Sequence, residues 1–153
     1  MSPYQQIIEL LESNKVKYEL EEHEPVTTLE DTLRVTDHKP EHAAKALLLK
    51  VGDKFILCVV RGDNKLDYKK VKQIFKSRKA RFARPEEVKK ITGVEIGAVY
   101  PFGNIMGIDW LVDDSFKDNK LITFSPGKHD SHIKMSWKDY YNLLKPKLSD
   151  ISA

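Results

Sequence analysis

The sequence predicts a mixed α+β fold. Three features carry that prediction: a buried hairpin written LLLK-VGDK-FILCVV, capped amphipathic helices near both ends, and short alternating strands between them. Two apolar runs flank Gly52-Asp53, which is the turn chemistry of a hairpin. No repeat, linker or low-complexity tract interrupts the 153 residues, so one domain over residues 1–153 is expected.

Ser2, Pro3 and Gln5 stand where an N-cap, a first-turn proline and a capping-box partner belong. Ile7, Ile8, Leu10 and Leu11 give that helix one apolar side, ending near Ser13-Asn14. Tyr18, Leu20 and Glu22 share one side of a short strand, with Lys17, Glu19 and Glu21 opposite. Thr28 with Asp31 predicts a small helix carrying Leu29, Thr32 and Leu33 on one face. After the hairpin and the polar loop Arg61-Gly62-Asp63-Asn64, Val71, Ile74 and Phe75 mark a helix whose outward side is rich in lysine. Pro85-Glu86-Glu87 opens another helix, acidic in its first turn, and Gly93 stops it. GVEIGAVYPFGN, residues 93–104, is too rich in Gly and Pro for regular structure. Ile108, Trp110 and Val112 alternate as a strand, Leu121, Thr123 and Phe124 belong to the next, and Ile133 and Met135 to a last one. Ser136 caps a final helix with Asp139 three residues on, and Pro146 ends it.

Composition narrows the function classes. A hydrophobic fraction of 41% with 32% charged residues fits a globular chain and argues against disorder. No apolar run reaches the length of a membrane span, and MSPYQQII lacks the basic-then-apolar layout of a signal peptide. The single cysteine, Cys58, reads as a small buried hydrophobe, and a reducing cytoplasm is the expected setting. Charge is uneven. Ten Lys or Arg stand against two Glu from Lys69 to Lys90, while the whole chain is only +3. That polarity points to a polyanion, nucleic acid ahead of membrane; a solvated helical face has the same composition.

Three places offer chemistry. Gly97 to Gly103 sets two glycines around Pro101, an arrangement that lets backbone N–H groups face a phosphate or an oxyanion; an ordinary wide turn has the same make-up. Phe124 to His132 brings Ser125, Gly127, His129, Asp130 and His132 together. The spacing of the two histidines is unlike a helical metal pair, so no metal is expected; a positioned His129 and a surface histidine both remain open. Lys45, at the start of the most apolar strand, shares a side with Leu47 and Leu49. It either snorkels to solvent or points into a pocket, where desolvation lowers its pKa.

Taken in order, AAKALLL with its hairpin, RGDNKLDYKKVK, GVEIGAVYPFG and SPGKHDSHIKM resemble the YbaK/prolyl-tRNA synthetase-associated editing domain family, from about Val16 to Leu144. The resemblance implies a curled, partly barrel-like mixed sheet flanked by helices. It also implies hydrolysis of the ester of a mischarged tRNA, here by a freestanding trans-editing deacylase of prolyl-tRNA-editing type. Lys45 matches the lysine on which activity depends. Gly97, Ala98, Tyr100, Pro101, Phe102 and Gly103 match the loop that lines the pocket. Ser125-Pro126-Gly127-Lys128-His129 matches the segment that closes its other wall, with His129 a candidate for orienting the water or reading the amino acid and Asp130, next to it, a candidate for substrate binding.

An aminoacyl ester is already activated, so the implied mechanism needs no metal, cofactor or covalent nucleophile. The implied partner is the 3′ acceptor end of an aminoacyl-tRNA, with a synthetase as a further partner and no membrane. Lys69, Lys70, Lys72, Lys76, Arg78, Lys79 and Arg81 are candidates for acceptor-stem phosphates, and the single-stranded end also suits stacking on its terminal base. Alanine, cysteine, serine and threonine remain open as the amino acid removed. An inactive tRNA-binding accessory module and a generic nucleotide- or small-ester-binding protein are the alternatives.

Overall fold

A computed structural model describes residues 1–153. Its elements follow local sequence rules closely. Helix α1 (Pro3–Ser13) begins with the Ser2/Gln5 capping box, with both reciprocal hydrogen bonds formed, and buries Ile7 and Leu11. Strand β1 is Tyr18–Glu22, and α2 is Leu29–Val35 with Thr28 as its N-cap. The hairpin is β2 (Ala44–Val51) and β3 (Lys54–Arg61), paired Ala44 to Arg61 through Val51 to Lys54. Then come α3 (Tyr68–Ile74), β4 (Ala80–Phe82), α4 (Pro85–Thr92), α5 (Gly103–Met106) and β5 (Asp109–Asp113). The chain closes with β6 (Leu121–Phe124), β7 (Ser131–Ser136), α6 (Trp137–Leu144) and β8 (Lys147–Ser149).

The strands form two sheets. One is antiparallel, ordered β1-β7-β6; the other is mixed, ordered β4-β2-β3-β5-β8, with β3, β5 and β8 parallel. A parallel bridge between Ala43 and Thr123 joins them. The expected curled mixed sheet is therefore divided in two, partly barrel-like and without closure.

β3 explains the continuous run FILCVV. It is central in its sheet and covered on both faces, so alternation of polar residues has no place there. Leu57 and Val59 enter the larger core with Phe102, Phe124, Trp137 and Tyr140. Ile56, Cys58 and Val60 enter a second core with Leu49, Val71 and Ile151. Cys58 is the buried hydrophobe expected, and burial pushes its thiol up to about 12. No helix is long and apolar enough to cross a membrane.

Three elements depart from expectation. β4 and β8 were not visible in the sequence, and Gly103 opens a short helix rather than ending a loop.

Candidate active site

A cavity of about 390 Å³ lies along β2. Strand pairing explains the space. β4 pairs only with Leu49–Val51, and the other contact of this edge is the Ala43–Thr123 bridge. The outer edge of β2 from Ala44 to Leu47 thus runs along the cavity with no strand beside it. The Leu48 carbonyl on that edge accepts from Ala83 N–H at 2.9 Å. Main-chain groups two residues apart in a strand point the same way, so Ala46 turns its N–H and C=O toward the cavity.

Lys45 is one of the lining residues. Its side chain is half-buried, and its Nζ donates to the Asn64 carbonyl at 2.9 Å. The amine is therefore tethered to the turn after β3 rather than free in solvent. Burial lowers its pKa, while the Asp63 carboxylate opposes that shift.

His132 supplies the second titratable group of the wall. It sits in β7 opposite Glu21 of β1. His132 Nδ1 lies 2.7 Å from His23 Nε2, and His23 Nδ1 lies 2.7 Å from the Glu24 carbonyl. A carbonyl oxygen can only accept, so His23 Nδ1 carries a hydrogen. In the neutral ring His23 Nε2 then accepts, and His132 Nδ1 must donate. That leaves His132 Nε2 with a lone pair, no protein partner and access to solvent. Burial, and then His23 and His38, push the His132 pKa down to about 3, which keeps the ring neutral. The His38 ring meets that of His132 edge-on at 5.4 Å, and its Nε2 lies 3.2 Å from Glu21 Oε2. Glu21, Asp37 and His38 also offer three ligand atoms within 4.8 Å of one another; exposed acidic groups commonly stand together in this way without an ion.

The glycine loop divides between wall and core. Gly97 lines the cavity. Its φ of +90° is open to glycine, and a Cβ there would stand 2.6 Å from the Thr27 carbonyl. Ala98, Tyr100, Pro101, Phe102 and Gly103 are buried and are not among the lining residues. The Tyr100 hydroxyl donates to the Thr92 carbonyl at 2.7 Å, and the Tyr140 hydroxyl donates to the Pro101 carbonyl at 2.5 Å. Phe102 packs with Phe124 and Tyr140. Gly103 is glycine because a Cβ would fall 2.2 Å from Trp110 Cγ. The larger part of this loop anchors the wall instead of facing a ligand.

On the other wall, Ser125 lines the cavity and its hydroxyl donates to the Lys128 carbonyl at 2.9 Å. Gly127 and His129 border a separate surface depression with Pro3 and Lys89. His129 Nε2 donates to the Ile96 carbonyl at 2.8 Å, and the His129 carbonyl accepts from Val26 N–H at 2.9 Å. His129 is thus a strut fastening two segments that frame the cavity. Asp130 is exposed, and its carbonyl accepts from His23 N–H at 3.0 Å. Sequence reasoning weighed His132 only as a metal ligand. The signal that could have found it is alternation: Ser131, Ile133 and Met135 are buried, which puts His132 on the other side of β7. Ala46 gave no signal, because its contribution is main chain.

The basic stretch precedes, along the chain, two residues that line the cavity, but none of its seven cations is among the lining residues. Lys69, Lys76, Arg78 and Lys79 are exposed, Lys72 is partly so, and none of the five forms an ion pair. Lys70 is engaged by Asp150 at 2.9 Å, and Arg81 by both Glu87 oxygens at 2.8 and 3.0 Å. Arg81 immediately precedes Phe82 and Ala83, both lining residues.

Comparison with known proteins agrees with this layout. Residues 23–143 match the aminoacyl-tRNA editing domain model. A proline–tRNA ligase of Caldicellulosiruptor bescii is 32% identical over 109 residues, 71% of this chain and 19% of the ligase, so the chain spans about a fifth of that relative. The prolyl-tRNA editing protein ProX of Acetoanaerobium sticklandii is 26% identical over 151 residues, 95% of this chain and 92% of ProX. A crystal structure proposed to be a trans-editing enzyme for prolyl-tRNA synthetase superposes with a TM-score of 0.82 at 22% identity, over 100% of this chain and 99% of that one. The matched span contains β2 with Lys45, the Gly97 loop and β7 with His132, and on that ground the chain belongs to the aminoacyl-tRNA editing domain family.

Proposed function

We propose that this chain is a single-domain deacylase that acts in trans, hydrolysing the ester between a wrong amino acid and the 3′-terminal adenosine of a tRNA. The observation that carries the reading is the cavity beside the open edge of β2, which Lys45, Ala46 and His132 all line. The near end-to-end match to ProX supports action in trans and the prolyl-tRNA type of substrate.

The chemistry needs little. A water held by His132 Nε2 attacks the ester carbonyl, and its proton passes to that nitrogen as the O–C bond forms. N–H groups of the Ala46 edge and the Gly97 turn face the developing oxyanion, with the Lys45 ammonium adding positive charge nearby. When the tetrahedral species collapses, the bond to the ribose oxygen breaks and His132 returns the proton to that oxygen. No group beyond the chain and water takes part in these steps.

The test is a panel of tRNAs charged with alanine, cysteine, serine or threonine, incubated with the protein and with Lys45→Ala. Release of one amino acid, reduced by roughly 10²–10³-fold in the variant at unchanged circular dichroism, is the expected result. Binding without release would instead identify an accessory module, and undiminished turnover by Lys45→Ala would remove the lysine from the mechanism.

A further inference from the structure

We propose that Phe82 is a stacking platform for the terminal adenine of the acceptor end, holding the base at the cavity lip while the aminoacyl ester reaches inward. This rests on the deacylase reading and adds to it the site that takes the base.

Exposure points to it first. The large hydrophobic residues left exposed are Met1, Leu20, Phe82, Ile96 and Leu121, and two of them, Phe82 at 51% and Ile96 at 46%, line the same cavity. Apolar surface concentrated at the rim of a pocket marks a contact surface. Phe82 is also braced. It belongs to β4, opposite Leu49 of β2, and the Tyr68 ring meets it edge-on at 5.5 Å and 71°. An aromatic ring held in place and yet half exposed gives a base a flat partner with little ordering cost.

The surroundings select the kind of partner. The unpaired Lys76, Arg78 and Lys79 stand just before β4 in the chain, whereas Arg81 is held by Glu87 and, like Lys50 opposite it, lies on the other face of the strand from Phe82. An exposed aromatic ring with unpaired cations close by in the chain is the combination that binds single-stranded nucleic acid, since phosphates meet the cations and the base meets the ring. A second copy of this basic face would repel it. Size agrees: about 390 Å³ falls in the range of about 300–1,000 Å³ that accommodates whole small ligands, more than a small aminoacyl group fills.

The probe is an uncharged acceptor-stem RNA hairpin ending in CCA, with 2-aminopurine replacing the terminal adenine. Stacking quenches its fluorescence. Quenching is expected with the wild-type protein and with Phe82→Trp, and its loss with Phe82→Ala. A second arm compares two esters of one amino acid, the 3′-adenosine ester and the ethyl ester. The ratio of their kcat/KM values should fall about 5- to 150-fold in Phe82→Ala, the span of one base–aromatic stack. Undiminished quenching by Phe82→Ala, an unchanged ratio, or Phe82-dependent self-association in place of quenching would each overturn the platform. If the wild type hydrolyses neither ester, the deacylase reading falls, and the quenching arm still decides the fate of the platform.

Discussion

His23 Nε2 and His132 Nδ1 stand 2.7 Å apart, joining residues 109 positions distant in the chain. The Glu24 carbonyl behind His23 fixes the direction of both hydrogens. The first prediction follows from that order. Long-range ¹H–¹⁵N spectra at neutral pH should show His132 as the Nδ1–H tautomer with an unprotonated Nε2. His23→Phe removes the acceptor and should lower the deacylation rate at least about tenfold, a modest part of what a general base contributes. His23→Gln presents a side-chain oxygen at a similar reach and should recover much of the loss. A wild-type spectrum with hydrogen on His132 Nε2 would reverse the chain and remove the base.

Gly97 tests the frame of the cavity. Its Cβ would stand 2.6 Å from the Thr27 carbonyl at a φ of +90°, whereas Gly107, at +70°, has open space around it. Gly97→Ala therefore combines backbone strain with a main-chain clash, and Gly107→Ala carries strain alone. The expected destabilisation is about 1 kcal/mol for Gly107→Ala and about 2–3 kcal/mol or more for Gly97→Ala. Only the latter should also depress turnover, because Thr27 lines the cavity. Equal unfolding midpoints would mean that the Thr27 segment yields freely.

What the sequence made legible was local. Ser2, Thr28 and Ser136 cap helices where their spacing said they would, because a cap is settled within four residues. The hairpin was legible for the same reason. β4 was not: Ala80–Phe82 is three residues of mixed character, made a strand only by pairing with Leu49–Val51. β8 depends likewise on a distant partner, since the buried Asp113 carboxylate accepts from Ile151 N–H at 2.9 Å just beyond it. At the site, Lys45 and Gly97 were legible as an oddly placed charge and a flexible turn. Pro101 and Gly103 carried the same motif signal yet serve the core, because spacing along a chain does not say which way a loop turns its residues. The Ala46 edge arises from the missing length of β4, which no residue type announces.

Ion pairing sorts the basic stretch. Lys69, Lys72, Lys76, Arg78 and Lys79 have no acidic partner, while Lys70 and Arg81 are held by Asp150 and Glu87. Binding of an acceptor-stem RNA, followed by fluorescence anisotropy, should weaken steeply with salt. Each neutralisation of an unpaired cation that meets a phosphate should reduce the log–log slope by about 0.7–0.9. Lys70→Gln should change the slope less, since its charge is already compensated. A slope indifferent to Lys72, Lys76 and Lys79 together would separate this surface from nucleic acid.

The neutral state of His132 has a consequence for folding itself. Its pKa is lowered from 6.5 to about 3 by burial and by His23 and His38. Between those values the unfolded chain takes up a proton that the folded chain refuses, so stability falls as pH decreases. The contribution is complete above about pH 6.5 and is progressively lost toward about pH 3. His23 and His38, the latter paired with Glu21, flank this ring and are retained in the variant. Urea unfolding of the wild type and His132→Gln at about pH 7.5 and about pH 4.5 isolates the effect as a difference of differences. The wild type should lose about 2 kcal/mol more than the variant on acidification, a value discounted for the solvent that reaches the ring from the cavity. Parallel losses in the two proteins would place the His132 proton affinity near that of a free imidazole, so that burial would no longer set the charge of the ring in the acid range.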